Sequence, residues 1–361
     1  MPRKWIMTQD EDLPLLCKNC FRDQGLRLMA EKNGAQASTC TNCGALGAMP
    51  LTRDELMALS YQFFVRGSFT NTTFGGAPKI QFNETNSGDL ILNQPLNDDI
   101  QLLQRTLGIG FFHYGPRLWM VGCVTPLEKL QDPAERSAVI ERVLTEYPMA
   151  ELPPHEHFFR ARKSPTYPEN DGEYDAPPLG IGGKGRLESN DYPILYGSQD
   201  LEICVHESRF AVGDDLYVAT LAPTRPLKLL DLSHLLAEEN CTEFESLDMA
   251  IHMLFLAGSH SYDISRAIAE AAAARGFDGL IYPSYFSLVR TGAMPFETSF
   301  GISLRRFPGA AEYERTKIIS NLALFGRPIA AGSIMVVGVN RLVITRVGYG
   351  ISLGPVVAGG C

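Results

Sequence analysis

The apolar positions of the chain fall into short groups with two periods. From Thr52 to Phe64 (TRDELMALSYQFF) they read as a helix, with Thr52 and Glu55 spaced as a capping box. Leu127 to Tyr147 predicts a charged amphipathic helix around Pro133-Ala134-Glu135, where proline suits an early helical position. Leu201 to Phe210 predicts a short helix capped by Asp200, with Leu201, Cys204, Val205 and Ser208 along its buried stripe. Ser261 to Arg275 is an alanine-rich helix stopped by Gly276. Asp215 to Ala222 alternates like a half-buried strand. Pro193 to Tyr196, Leu227 to Leu232 and Gly279 to Ser284 are short strand candidates. Ile334 to Val337 and Arg341 to Val347 are further β-type runs broken by glycine. Residues 66–98, rich in Gly, Asn, Thr and Ser, read as strands with long loops. Strands interleaved with a few helices predict a mixed α+β fold. The expected division is a cysteine-bearing region at 1–55, a helical and mixed extension at 56–150, and a strand-rich domain at 151–361.

Composition narrows this picture. With 45% apolar and 20% charged residues the chain is neither wholly disordered nor collagen-like. It has no apolar run of ~18 residues, so no membrane-spanning helix is expected. A net charge of -9 and a pI near 5.4 speak against a phosphate-tracking nucleic-acid binder. Met1-Pro2-Arg3-Lys4-Trp5 runs into Asp10, Glu11 and Asp12, which predicts no secretory signal and makes a reducing cytoplasm the expected compartment.

Four of the eight cysteines lie in the first 43 residues, as Cys17-x2-Cys20 and Cys40-x2-Cys43. Two thiolates on each of two tight turns can complete a tetrahedron around one ion, and Gly44 helps the second turn close. The expected cofactor is structural zinc. All four positions are sulfur, so no open coordination site is left for catalysis.

Other patterns are weaker. Gly180, Gly182 and Gly185 match a dinucleotide spacing, but they follow Asp175-Ala176-Pro177-Pro178 and open no predicted helix. His155 and His157 could share a strand face, yet no third metal ligand is nearby, so a solvated or hydrogen-bonded pair is the better reading. Glu207 falls on the border of its helix's buried stripe, where a carboxylate needs a partner or a task. A salt bridge to Arg209, Arg186 or another cation would satisfy it as well as a functional role.

The ordered set Gly185-Arg186, Tyr196-Gly197, Glu207 and Gly279-Leu280-Ile281-Tyr282-Pro283-Ser284 resembles the RES domain family, named for its Arg, Glu and Ser. Arg186 to Tyr196 is ten residues and Arg186 to Glu207 twenty-one, close to the family spacing. Phe158 to Arg162 is similar to the family's entry strand, and Asn321 with Phe325 to its closing Asn-x-x-x-Phe strand. Leu187 and Glu188 depart from the bulky residue and Asn usual after the arginine. The resemblance covers roughly residues 151–350.

The resemblance implies an ADP-ribosyltransferase-like fold and cleavage of NAD+ by phosphorolysis or hydrolysis, in a toxin or defence effector with an antitoxin or immunity protein as partner. It makes Glu207, Arg186 and Ser284 the catalytic candidates. Arg186, Gly185, Tyr196 and Tyr282 would bind NAD+, and Arg160 or Arg162 would supply a second cation if inorganic phosphate is the acceptor. The alternatives are a protein mono-ADP-ribosyltransferase and an inactive NAD-sensing or partner-binding module. Self-association into a homo-oligomer is compatible with all three.

Overall fold

The computed structural model describes residues 14–356 except 35–36, 68, 73–74, 79, 84–91, 114–123, 182–184, 190, 243, 258, 294–296, 300–301, 349–350 and 352. Gly182 of the glycine run lies outside the described residues. The chain forms two compact units, one made of 1–71, 76–120 and 349–361, the other of 72–75 and 121–348.

In chain order the early elements are α1 (Gln24–Asn33), α2 (Arg53–Tyr61), β1 (Phe69–Thr72), β2 (Gly75–Pro78), β3 (Ile80–Asn83), α3 (Gln94–Leu107) and β4 (Gly110–His113). The capping box at Thr52 and Glu55 is present and starts α2. Helix α3 occupies the end of the stretch expected to hold only strands and loops. Asn93 caps it and Pro95 stands in its first turn, two start signals buried in a polar stretch. Leu26, Leu56, Leu59, Phe63, Leu103 and Phe111 belong to the core of this first unit. Asp99 of α3 is buried and accepts the backbone N–H groups of Arg22 and Asp23, fixing the start of α1.

The second unit continues with α4 (Thr125–Gln131), α5 (Arg136–Glu146), β5 (Met149–Leu152), β6 (Phe158–Lys163), β7 (Ile194–Ser198), α6 (Leu201–Glu207), β8 (Leu216–Pro223) and β9 (Leu227–Asp231). Then come α7 (Leu247–Leu256), α8 (Tyr262–Ala274), β10 (Gly279–Pro283), α9 (Ser287–Thr291), β11 (Thr298–Ser299), β12 (Ile302–Ser303), α10 (Ala311–Thr316), β13 (Ser320–Phe325) and β14 (Ile334–Leu342). Eight strands form one mixed sheet in the order β14-β8-β6-β7-β13-β10-β9-β5. Among the described residues only β9 and β10 pair in parallel. Among the described residues no helix is long and apolar enough to cross a membrane.

Three expectations change in detail. The helix expected around Pro133-Ala134-Glu135 starts just after them, as α5, and a separate helix α4 precedes it, because Asp132 leaves helical geometry and Pro133 stands in the break. Helix α6 stops at Glu207 rather than Phe210, since Arg209 takes a left-handed φ of 52°. Its buried residues are Ile203 and Cys204, and Ser208 is exposed. The two runs at 334–347 are one strand to Leu342, with an irregular register between Val336 and Gly338.

Alternation sorts the sheet into two faces. Phe158, Leu195, Leu322 and Leu324 join one core with Tyr174 and Ala176. Tyr196 pairs with Ala323, Ser198 with Asn321 and Tyr282 with Asn321, so these residues share the other face. Helix α7 is buried almost all round, as a helix apolar on every side must be. Its Asp248 forms a bidentate ion pair with Arg305 at 2.7 and 2.8 Å, both side chains almost fully buried.

A Cβ on Gly279 would lie 2.4 Å from the carbonyl oxygen of Ala323, a sheet atom with no room to retreat. Gly279→Ala is expected to lower stability by ~1–3 kcal/mol, read as a lower urea midpoint.

Candidate functional site

The site grows from three neighbouring elements. Helix α6 delivers Glu207 as its last residue. Strand β10 ends at Pro283, and Ser284 follows, its N–H bonded to the carbonyl of Ile319. Strand β13 lies between β7 and β10 and carries Asn321. The Ser284 hydroxyl donates to Oε1 of Glu207 at 2.7 Å, and the Asn321 amide donates to the same oxygen at 2.6 Å. Ser284 and Asn321 are buried, whereas Glu207 is exposed. Among the described residues no lysine or arginine forms an ion pair with Glu207, so the salt-bridge alternative is not what satisfies it.

Tyr282 lies directly beneath this group. Its ring stacks on Phe255 with centroids 5.3 Å apart. Burial pushes its hydroxyl well up, the Glu207 charge adds to that, and Arg186 and a hydrogen bond with Asn321 act the other way. Tyr282 therefore stands within electrostatic range of both Arg186 and Glu207. A small cleft, with room for about one water molecule, adjoins Ser284, and His252, Phe255, Ser287, Lys317 and Ile318 help to line it.

Arg186 is heavily engaged. Its Nη1 and Nη2 donate to the carbonyls of Leu254 and Ala257 at 3.2 and 2.8 Å, at the end of α7, where the Leu254 carbonyl also accepts the Ala257 N–H. The guanidinium also lies 4.9 Å from the ring centre of Tyr262 and 5.7 Å from that of Phe255. Helix α8 fixes the turn from behind. Ser265 donates to the Arg186 carbonyl at 2.6 Å and Arg266 to that of Gly185 at 2.9 Å.

Tyr196 and Glu188 lock the same turn. The Tyr196 hydroxyl accepts the N–H groups of Leu187 and Glu188 at 2.9 and 3.1 Å, and burial pushes its ionisation well up. Glu188 folds back to accept the Gly185 N–H at 2.9 Å. The carboxylate that departs from the family pattern thus serves the backbone, and it occupies an N–H otherwise available to a ligand anion.

Arg160 and Arg162 are not brought to this group. They alternate with Phe159 and Ala161 onto the face of Phe158, opposite Asn321 and Tyr196. Arg160 donates to the carbonyls of Tyr196 and Asp175, and Arg162 to those of Glu173 and Asp175. Burial pushes both guanidinium groups down. His155 and His157 are exposed, and His155 has a left-handed φ of 67°, which removes the strand geometry a shared metal would need.

Asn321 and Arg266 were not singled out as site residues by sequence reasoning. Asn321 left a trace, as a polar side chain in the otherwise apolar run Asn-Leu-Ala-Leu-Phe of a central strand, where burial demands a partner. Arg266 on an alanine-rich helix gave none.

In the first unit the sulfurs of Cys17, Cys20, Cys40 and Cys43 all lie within 4.8 Å of one another, close enough to hold one metal ion. Gly44 closes the second turn with a φ of 73°, its N–H bonded to the Cys40 carbonyl. Burial raises the Cys20 thiol to about 12. Burial also works to raise Cys40, but backbone N–H groups of Cys43 and Asn42 outweigh it and bring that thiol to about 7.

The RES domain family model matches residues 157–293, the segment that supplies Arg186, Tyr196, Glu207 and Ser284. No curated protein matches the chain. A solved structure similar to it is the M. tuberculosis MbcT–MbcA toxin–antitoxin complex, at 13% identity and a TM-score of 0.32, covering 56% of this chain and 91% of that one.

Because Arg186 holds two carbonyls and two rings at once, a lysine cannot replace it. Arg186→Lys is expected to cost ~1–2 kcal/mol and to lower the melting temperature by ~2–8 °C in differential scanning calorimetry, without any ligand present.

Proposed function

We propose, from the match of residues 157–293 to the RES domain family, that the chain cleaves the bond between nicotinamide and ribose in NAD+. The observation that carries the reading is the Glu207 carboxylate, with Oε1 filled by two buried donors and the residue itself exposed. The leaving group is a pyridinium, so it departs as neutral nicotinamide with the electron pair of the broken C–N bond. No general acid is needed, which removes one of the two carboxylates a glycosidase requires. Positive charge develops on the ribose, and Glu207 stabilises it. Water or inorganic phosphate then supplies the oxygen that bonds to the ribose carbon.

Arg186 serves NAD+ from a partly committed position. Two of its nitrogens hold α7, and the planar cation sets a positive potential for the pyrophosphate. Tyr196 and Gly185 shape the turn beside it, and Tyr282 pairs across the sheet with Asn321, which holds Glu207. An enzyme that consumes NAD+ in this way suits a toxin or defence effector, and an antitoxin or immunity protein would restrain it.

The four-cysteine site fits zinc. A Zn–S distance of about 2.3 Å places tetrahedral sulfurs about 3.8 Å apart. The Cys17–Cys43 and Cys20–Cys40 sulfur separations are 3.6 and 3.5 Å. Asn42 donates to the Cys20 sulfur at 3.3 Å, the kind of outer contact that orients a metal thiolate. With four sulfurs the site is closed and its role is structural.

Purified protein incubated with NAD+ should release free nicotinamide. The co-product is ADP-ribose if water is the acceptor and ADP-ribose 1″-phosphate if phosphate is. Glu207→Gln should keep its melting temperature and lose ~10²-fold in turnover. Intact NAD+ at high enzyme concentration would refute the reading. Elemental analysis should find one zinc per chain, and Cys40→Ser should lose it together with the fold of the first unit.

A further inference from the structure

We propose that Asn321 is a positioning residue for this reaction, its amide acting with the Ser284 hydroxyl to saturate Oε1 of Glu207 so that Oε2 alone faces the substrate. The inference rests on the NAD+-cleavage reading and adds to it the device that aims the carboxylate. The terminal torsion of a glutamate is broad and nearly two-fold, so an unsupported carboxylate offers either oxygen in many orientations. Here two donors reach one oxygen from two adjacent strands, at 2.6 and 2.7 Å. Bonds to an ionised acceptor are of the stronger class. Among the described residues nothing is bonded to Oε2.

The strand register makes this precise in space. Asn321 pairs with Ser198 on one side and Tyr282 on the other, in a strand bonded along both edges. The side chain is 2% exposed, so it lies under the carboxylate and does not itself meet substrate. Its strand partner on β10 is Tyr282, whose ring stacks on Phe255, so the residue beneath Glu207 is fixed to a packed part of the sheet.

The residue type also fits the task. The amide nitrogen has two hydrogens and no charge. A lysine or arginine at this place would hold the carboxylate equally well but would cancel the negative charge that must face the ribose cation. An aspartate would add a second negative charge at contact distance and offer no hydrogen. Among uncharged side chains asparagine brings two donors from a short stem.

The experiment measures steady-state NAD+ cleavage for the wild type, Asn321→Ala, Asn321→Ser, Glu207→Ala and the double variant Glu207→Ala/Asn321→Ala. Asn321→Ala should lower kcat by ~10–100-fold, the range expected when a reacting group is displaced by about an ångström, and leave KM within about threefold. Asn321→Ser keeps a hydroxyl donor in the strand and should recover part of the loss. In the Glu207→Ala background, removing the amide should cost nothing further, because a residue that acts through another has no effect once that other is gone. An equal loss in both backgrounds would show a role in folding alone and overturn the proposal, as would wild-type kcat in Asn321→Ala. A readout independent of turnover is the side-chain amide of Asn321 in the 15N-labelled full chain. One of its protons should resonate downfield of other asparagines and move upfield in Glu207→Ala, and an unmoved signal would overturn the pairing. A wild type that leaves NAD+ intact while this signal is present would sink the cleavage reading, and the positioning role with it, but not the hydrogen bond.

Discussion

An oxygen of a surface glutamate that must be held still can only be held by groups that are themselves immobile. In this chain that requirement runs through the centre of an eight-stranded sheet. Asn321 reaches Glu207 because β13 is locked between β7 and β10, and Ser284 is held next to it because its N–H, bonded to the Ile319 carbonyl, carries the β10–β13 pairing one residue further. Loops would place the same side chains less reproducibly. The apolar face opposite, with Phe158, Leu195, Leu322 and Leu324, anchors these strands in the hydrophobic core. The cost of burying Asn321 is offset by bonds to groups the site needs.

The positive side of the site is built differently. Arg186 stands on a turn rather than in a strand, and its rigidity comes from being used several times over. Its side chain caps α7 and lies against Tyr262 and Phe255, while its own carbonyl is taken by Ser265. The same α7 that receives it is pinned at its start by the buried Asp248–Arg305 pair. Fixed charge of this kind needs no reorganisation when a charged ligand arrives.

Much of this was legible in the sequence, for physical reasons. The capping box of α2 and the stop of α8 at Gly276 are local signals, and the structure reproduces them, whereas β8 forms a strand buried on both faces rather than alternating. The cysteine spacing was equally local. The break between α4 and α5 and the early stop of α6 were harder, because single residues such as Asp132 and Arg209 override an apolar period that continues past them. The face on which a side chain emerges was the hardest of all. Arg160 and Arg162 sit one residue from positions facing the other way, and only the pairing of β6 with β7 decides it. Asn321 and Glu207 fall within one resemblance, but they are far apart in sequence, so nothing local pointed to their bond.

Gly197 has no chemistry to offer, yet it sits between Tyr196 and Ser198 at the seam of β6 and β7. A methyl group there would come within 2.6 Å of the Phe158 ring and 2.9 Å of the Phe159 carbonyl. Tolerance to change should therefore run opposite to chemical prominence. The acid on the surface can be exchanged and the scaffold survives. The silent position beneath cannot, because its emptiness is what lets an aromatic ring lie flat across the neighbouring strand.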